Sequence, residues 1–171
     1  MTQFKTCQPS QMTKAEFVET FADIYEHSPW VAERTFDKGL DSSFDQIEKL
    51  HTAMSKTMLD ADPQEQLDLI NAHPDLAGKA AVNGELTAAS TSEQAGAGIS
   101  QCTPEEFEQF TDFNERYKAR FEFPFIMAVK GANRHQILAS FAERIDNDKE
   151  TEFATAIAQI NKIASFRLQD M

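Results

Sequence analysis

A chain of 171 residues with 16 basic and 28 acidic side chains carries a formal charge of −12, which fits the length of one domain and is the wrong sign for gripping nucleic-acid phosphates through a basic face. At 41% apolar and 26% charged residues it is too apolar for a disordered chain, and no stretch approaches the ~20 apolar residues of a membrane span. Cys7 and Cys102 are too few for a disulfide framework or a Cys-based zinc site, and two reduced thiols behind an N-terminus without an apolar signal segment give the expectation of a cytoplasmic protein.

Helical signals run from end to end. Thr13-Lys14-Ala15-Glu16 is a capping box followed by Phe17, Phe21, Ile24 and Tyr25 at helical spacing. Ser28-Pro29 offers an N-cap and a first-turn proline for a short helix through Trp30 that stops at Gly39. Phe44, Ile47, Leu50, Met54 and Met58 form a third stripe in steps of three and four. Asp62-Pro63 opens a fourth helix over Leu67 and Ile70, which must end near His73 because Pro74 disfavours helical backbone before it. From Leu76 to Ala89 the pattern is irregular, with Gly78, Asn83 and Gly84, and reads as a loop up to a second capping box, Ser90-Thr91-Ser92-Glu93. That helix is expected to be brief, punctuated by Gly96 and Gly98. Thr103-Pro104-Glu105-Glu106 starts the strongest helix, with Phe107, Phe110, Phe113, Tyr117 and Phe121 in its stripe, ending at Phe123-Pro124. Two further helices are expected over Arg134 to Ile145 and Glu150 to Leu168, the second with Phe153, Ile157, Ile160 and Ile163 on one side. Only Phe125 to Val129 could be a strand, and a lone five-residue strand has nothing to pair with. The expected fold is all-α: a single compact domain spanning 1–171, with about seven to nine helices.

The chemistry-bearing residues are few. His73, in His73-Pro74-Asp75-Leu76-Ala77-Gly78-Lys79, can be an ordinary helix-end histidine whose charged form suits the negative end of the dipole. It can equally be a general acid or base, since imidazole titrates near neutrality. Glu93 can simply complete the cap of Ser90; alternatively, a helix start there would offer N–H groups and a positive dipole end to an anionic ligand, with the Gln94 amide beside it. Arg116, Lys118, Arg120, Lys130, Arg134 and His135 cluster within twenty residues, and Arg167 stands near the end of the last helix. Most are expected to be solvated or paired with Glu105, Glu106, Glu108, Asp112 and Glu115. An acidic protein with an anionic substrate nevertheless needs at least one inward arginine. His27, His51, His73 and His135 show no His-x-x-x-His or His-Glu-x-x-His spacing, and His73 with Asp75 is one ligand short of a catalytic zinc site, so no metal is expected. No dinucleotide fingerprint, phosphate loop or nucleophile elbow is present.

Several segments together resemble the family of 2-oxo-4-hydroxy-4-carboxy-5-ureidoimidazoline (OHCU) decarboxylases. They are Ser28-Pro29-Trp30-Val31-Ala32, His73 through Lys79, Ser92-Glu93-Gln94-Ala95-Gly96-Ala97-Gly98, and Asn114 through Gly131, which contains Arg120-Phe121-Glu122-Phe123-Pro124-Phe125-Ile126. Lys162-Ile163 with Arg167-Leu168 is a weaker piece, and Ile99 stands where family members often carry leucine. The resemblance implies an all-helical, cofactor-free lyase of urate breakdown, a homodimer that forms (S)-allantoin from OHCU. It implies His73 as catalytic acid/base beside Pro74, with Glu93 also catalytic. Ser90 and Gln94 would bind substrate, together with the backbone of Phe125, Ile126, Met127, Ala128 and Val129, and Arg167 would clamp an anionic group. No nucleic acid or membrane partner is implied.

The residue types permit that chemistry, and the resemblance selects it. Two other classes fit the same residues: a metal-dependent helical hydrolase using His73 and Asp75, and a non-catalytic helical interaction module. Chelator sensitivity would mark the first, and tolerance of replacements at His73 and Glu93 the second.

Overall fold

A computed structural model describes residues 2–78 and 84–171. Lys79 of the histidine motif and Asn83 of the expected loop lie outside the described residues. Among those described, the chain is all-α. The described residues form eight α-helices: α1 (Lys14–Phe21), α2 (Trp30–Asp37), α3 (Ile47–Leu59), α4 (Pro63–Ala72), α5 (Ala88–Gly96), α6 (Pro104–Phe121), α7 (Arg134–Arg144) and α8 (Lys149–Gln169). No strand occurs among them, only an isolated antiparallel bridge between Gln3 and Gln46. No described helix is long and apolar enough to cross a membrane. The backbone packs as two compact units, residues 1–72 with 161–171, and residues 73–160.

In the first unit the expected stripes become a core. Phe17, Phe21, Leu50, Met54, Met58, Leu69 and Ile70 are fully buried, joined by Ala164 and Leu168 from the end of α8. Burying one such side chain contributes about 1.5–3 kcal/mol. The Phe17 ring lies 4.7 Å from Phe21 and 5.5 Å from Phe36 between centroids. The capping box forms as read, with the Glu16 N–H donating to the Thr13 hydroxyl and the Thr13 N–H to the Glu16 carboxylate. Two details differ from expectation. Helix α1 stops at Phe21, and Ile24 and Tyr25 are buried from the turn that follows. Ser28 does not cap α2; its hydroxyl donates to the Glu26 carbonyl at 2.9 Å, and the helix starts after Pro29 without a side-chain cap. Between them His27 sits at φ +46, so the Glu26-His27-Ser28 turn is a tight, left-handed one.

The second unit is organised by α6. Its capping box, Thr103 with Glu106, forms as expected. The buried stripe is Phe110, Asn114, Tyr117 and Phe121, whereas Phe113 is half-buried and Phe107 is 38% exposed. The helix ends two residues before the expected Phe123-Pro124, because Glu122 takes a left-handed conformation (φ +64) as its cap. The chain then runs through Phe123 to Val129 with no strand pairing, its rings packed inward. Phe125 stacks on Phe141 at 3.7 Å, and Phe123 meets Tyr117 edge-on at 6.0 Å.

The second capping box reads differently in the structure. Helix α5 begins at Ala88, capped by Thr87, whose hydroxyl accepts the Ser90 N–H at 3.2 Å. Ser90 therefore lies inside the first turn and Glu93 in mid-helix, where neither serves the expected cap. The helix is brief, as expected, and Gly98 beyond it takes φ +75.

Candidate active site

The second unit holds His73, Pro74, Ser90, Glu93, Gln94 and Phe125 to Val129; Arg167 belongs to the first. His73 follows the last residue of α4 and is 8% exposed, with Pro74 fixing the chain direction after it. The next three residues, Asp75 to Ala77, are held from two helices. The Gln94 carbonyl oxygen accepts the Ala77 N–H at 3.1 Å, and its amide nitrogen donates to the Asp75 carbonyl at 3.4 Å. From α6, the Asn114 amide donates to the Leu76 carbonyl at 2.9 Å, and the Lys118 ammonium pairs with Asp75 at 2.6 Å. Ala77 is thereby kept at φ +54, a conformation that alanine rarely adopts and that persists only where surrounding bonds over-determine it. Gly78 is required sterically, since a Cβ there would come within 2.6 Å of the Asp75 Cβ. Residues 75–77, directly after Pro74, are thus fixed by side chains from α5 and α6.

These contacts give Gln94 a task beside the substrate contact that the resemblance implies. Its buried amide spends both ends on loop backbone, so it acts on the loop that carries His73 and Pro74. Ser90, Glu93 and Gln94 still share one side of α5, at i, i+3 and i+4. The cause is helix periodicity, and the helix start lies one turn earlier. Ser90 is buried and Glu93 half-buried. Because Glu93 lies inside α5 and not at its start, Glu93→Ala should leave the helix intact, alanine being the best helix former. We expect turnover to fall by about 10²-fold, the scale of a placed acid–base group, with the melting temperature nearly unchanged. Kinetics and a melting curve on the same sample check this; activity that merely follows the folded fraction would make Glu93 structural.

Two cavities adjoin the loop. One of about 520 Å³ is lined by Ala77, Gln94, Thr91, Ile99, Cys102 and Phe107 among others, and one of about 460 Å³ by Asp75, Gly78, Thr111, Asn114 and Lys118 among others. His73, Ser90 and Glu93 line neither of these two. Burial pushes the Cys102 thiol pKa up, so it is not a ready nucleophile.

The arginines sort clearly. Arg116 pairs with Asp112 at 3.2 Å, and Arg120 donates to the Asn147 carbonyl at 2.9 Å on the surface. Arg134 donates to Glu106 at 2.6 Å, and that contact holds the Glu106 carboxyl below its usual pKa despite the opposing effect of burial. Arg167 is of another kind. It is 8% exposed, and its guanidinium donates to the Glu26 carboxylate at 2.8 Å and to the Asp23 carbonyl at 3.0 Å. Sequence reasoning missed Glu26, 1% exposed, and Asn114. An asparagine within the apolar stripe of α6 was the available signal for the second; a partner 141 residues away gives none for the first. No group of three or more His, Cys, Asp or Glu side chains that could hold a metal occurs among the described residues.

The fold places a buried histidine at the head of a turn bonded from two helices, and comparison with known proteins gives the class. The pattern of the OHCU decarboxylase family matches residues 10–169, and the chain belongs to that family. It is a decarboxylase, a lyase. It is 40% identical over its full length to the 2-oxo-4-hydroxy-4-carboxy-5-ureidoimidazoline decarboxylase of Halalkalicoccus jeotgali, covering 93% of that protein. Over 95% of the chain it is 38% identical to a uric acid degradation bifunctional protein of Bacillus subtilis, of which it covers 31%. Among solved structures, an (S)-allantoin synthase superimposes with a TM-score of 0.75 at 30% identity over 95% of this chain, which spans about half (52%) of that longer one. An OHCU decarboxylase crystallised in the presence of (S)-allantoin has a TM-score of 0.67 at 19% identity over 82% of this chain and 89% of its own, a likeness of fold.

Proposed function

We propose that this decarboxylase converts OHCU to (S)-allantoin without a cofactor, with His73 as the acid/base. The observation that carries the reading is the buried His73 at the head of a loop fixed by Gln94, Asn114 and Lys118. A proton donor held this firmly is of use in a reaction where one face of one carbon must be protonated.

The substrate supplies its own electron sink. When the C–CO₂ bond at the hydroxyl-bearing carbon breaks, its electron pair moves into the adjacent C=N unit, whose nitrogen takes up a proton, and generates an ene-ol. The hydroxyl then loses its proton and becomes the carbonyl of allantoin, while the ureido-bearing carbon gains a proton. For a carboxylate substrate the balance is one CO₂ released and one proton taken up. His73 delivers the proton that the ureido-bearing carbon gains. Glu93 anchors the ureido group or relays the hydroxyl proton, and Ser90, Pro74 and the backbone of Phe125 to Val129 orient the ring. Gln94 contacts the substrate and also fixes the loop. The anionic group is assigned to Arg167, whose guanidinium is pre-set by Glu26. A cytoplasmic homodimer completes the proposal.

The metal-hydrolase alternative differs in what it releases. Enzyme exhaustively chelated and dialysed should evolve CO₂ from fresh OHCU at its full rate, because the imine already stabilises the developing charge. Ring opening without CO₂, or activity restored by added zinc or manganese, would favour the hydrolase.

A further inference from the structure

The Phe125 to Val129 backbone, to which the proposed function gives substrate contacts, is held by a buried polar network that the reaction itself does not use. Arg144, in the last turn of α7, and Glu152, near the start of α8, are 9% and 0% exposed and pair at 2.9 Å through Nε and Oε1. The same carboxylate oxygen accepts the Tyr117 hydroxyl at 2.6 Å, and the other accepts the Asn147 amide at 2.9 Å. Burial, helped by Glu152, pushes the Tyr117 pKa far up, so the phenol remains a donor. The guanidinium lies 4.3 Å from the Phe125 ring centroid, and its NH1 donates to the Ile126 carbonyl at 2.6 Å. Two residues on, the Ala128 N–H donates to Gln159 at 2.9 Å.

As a stabilising device this network is poor. Buried ion pairs are often matched or bettered by apolar residues of the same volume, and here the buried NH2 of Arg144 has no partner among the described residues, a desolvation loss with no return. What the network does deliver is a fixed peptide group on each side of Met127. The rings of Tyr117, Phe121, Phe123, Phe125 and Phe141 already fill the surrounding core, so an apolar side chain at 144 could replace the volume. It could not aim the Ile126 carbonyl.

We propose that Arg144 is a positioning residue for substrate binding: through Ile126 it sets the backbone of residues 125–129 against which the ligand is read. The inference rests on the proposed function. Arg144→Lys keeps a cation for Glu152 but cannot also reach the carbonyl and cover Phe125. In the full-length protein it should raise KM for OHCU about tenfold, the worth of one misplaced charge-assisted hydrogen bond, while kcat stays within about twofold. Tyr117→Phe, which strips one bond from Glu152 and leaves Ile126 held, should lower the melting temperature and leave KM alone. Should Arg144→Lys fail to fold, the double variant Arg144→Met/Glu152→Leu removes the pair together and should show the same rise in KM. A KM unmoved in the folded Arg144 variants, against an active unsubstituted enzyme, overturns the inference alone. An unsubstituted enzyme that does not consume OHCU overturns the functional reading, and the inference with it.

Discussion

Replacing His73 by Asn should give a folded protein whose turnover of OHCU is lower by about 10²–10⁴-fold, the range for loss of a placed general acid or base. Asparagine keeps a polar group of similar reach at a site only 8% exposed, so burial costs little extra. It cannot titrate, so the proton that the ureido-bearing carbon needs must come from water. The loop after His73 is bonded to Gln94 and Asn114 through its own backbone, and these bonds survive the change. Melting temperature and kcat/KM should therefore part company. Near-normal turnover by a folded His73→Asn enzyme would remove His73 from the chemistry and leave it as a helix-end residue.

The largest stability effect is expected at Arg167. Arg167→Ala leaves the Glu26 carboxylate, 1% exposed, without the guanidinium that pairs with it at 2.8 Å. Breaking a buried pair from one side costs about 3–5 kcal/mol, whereas replacing both members by apolar or neutral groups is often close to neutral. Denaturant unfolding should thus show a severe loss for Arg167→Ala and a large recovery in Glu26→Gln/Arg167→Met. Activity should not recover with stability, because the second variant still has no fork for a carboxylate. If turnover returns together with stability, Arg167 is a structural residue and the substrate's anionic group is held elsewhere.

The helices were legible because their causes are local. Apolar residues three and four apart, with Thr13 and Thr103 each followed three residues later by glutamate, are enough to place α1 and α6 at their first residues. The same local rule misplaced α5. Ser90-x-x-Glu93 satisfies it, but Thr87 precedes two alanines, and alanine favours helix strongly enough that nucleation one turn earlier wins. Glu93 and Gln94 kept their shared side of the helix while their reason for being there changed.

Of the site, His73 and its loop were legible as a motif, yet what fixes residues 75–77 was not. Asn114, Lys118 and Gln94 reach it from α5 and α6, and no spacing rule links a side chain to a carbonyl 38 residues away. Arg134 and Arg167 looked alike as basic residues in the sequence. Their difference is burial and partner: Arg134 is tied to the cap residue of α6, Arg167 to a buried glutamate. Both depend on tertiary packing.

The central claim is that a fixed proton donor acts on one face of the intermediate formed after CO₂ leaves. Unassisted, that planar intermediate is open to protonation from either side. Fresh OHCU supplied to the purified enzyme should give optically active allantoin, (S)-handed from the first turnovers, with the signal rising in proportion to enzyme concentration. Allantoin that forms without optical activity, at a rate no different from enzyme-free solution, would contradict the account.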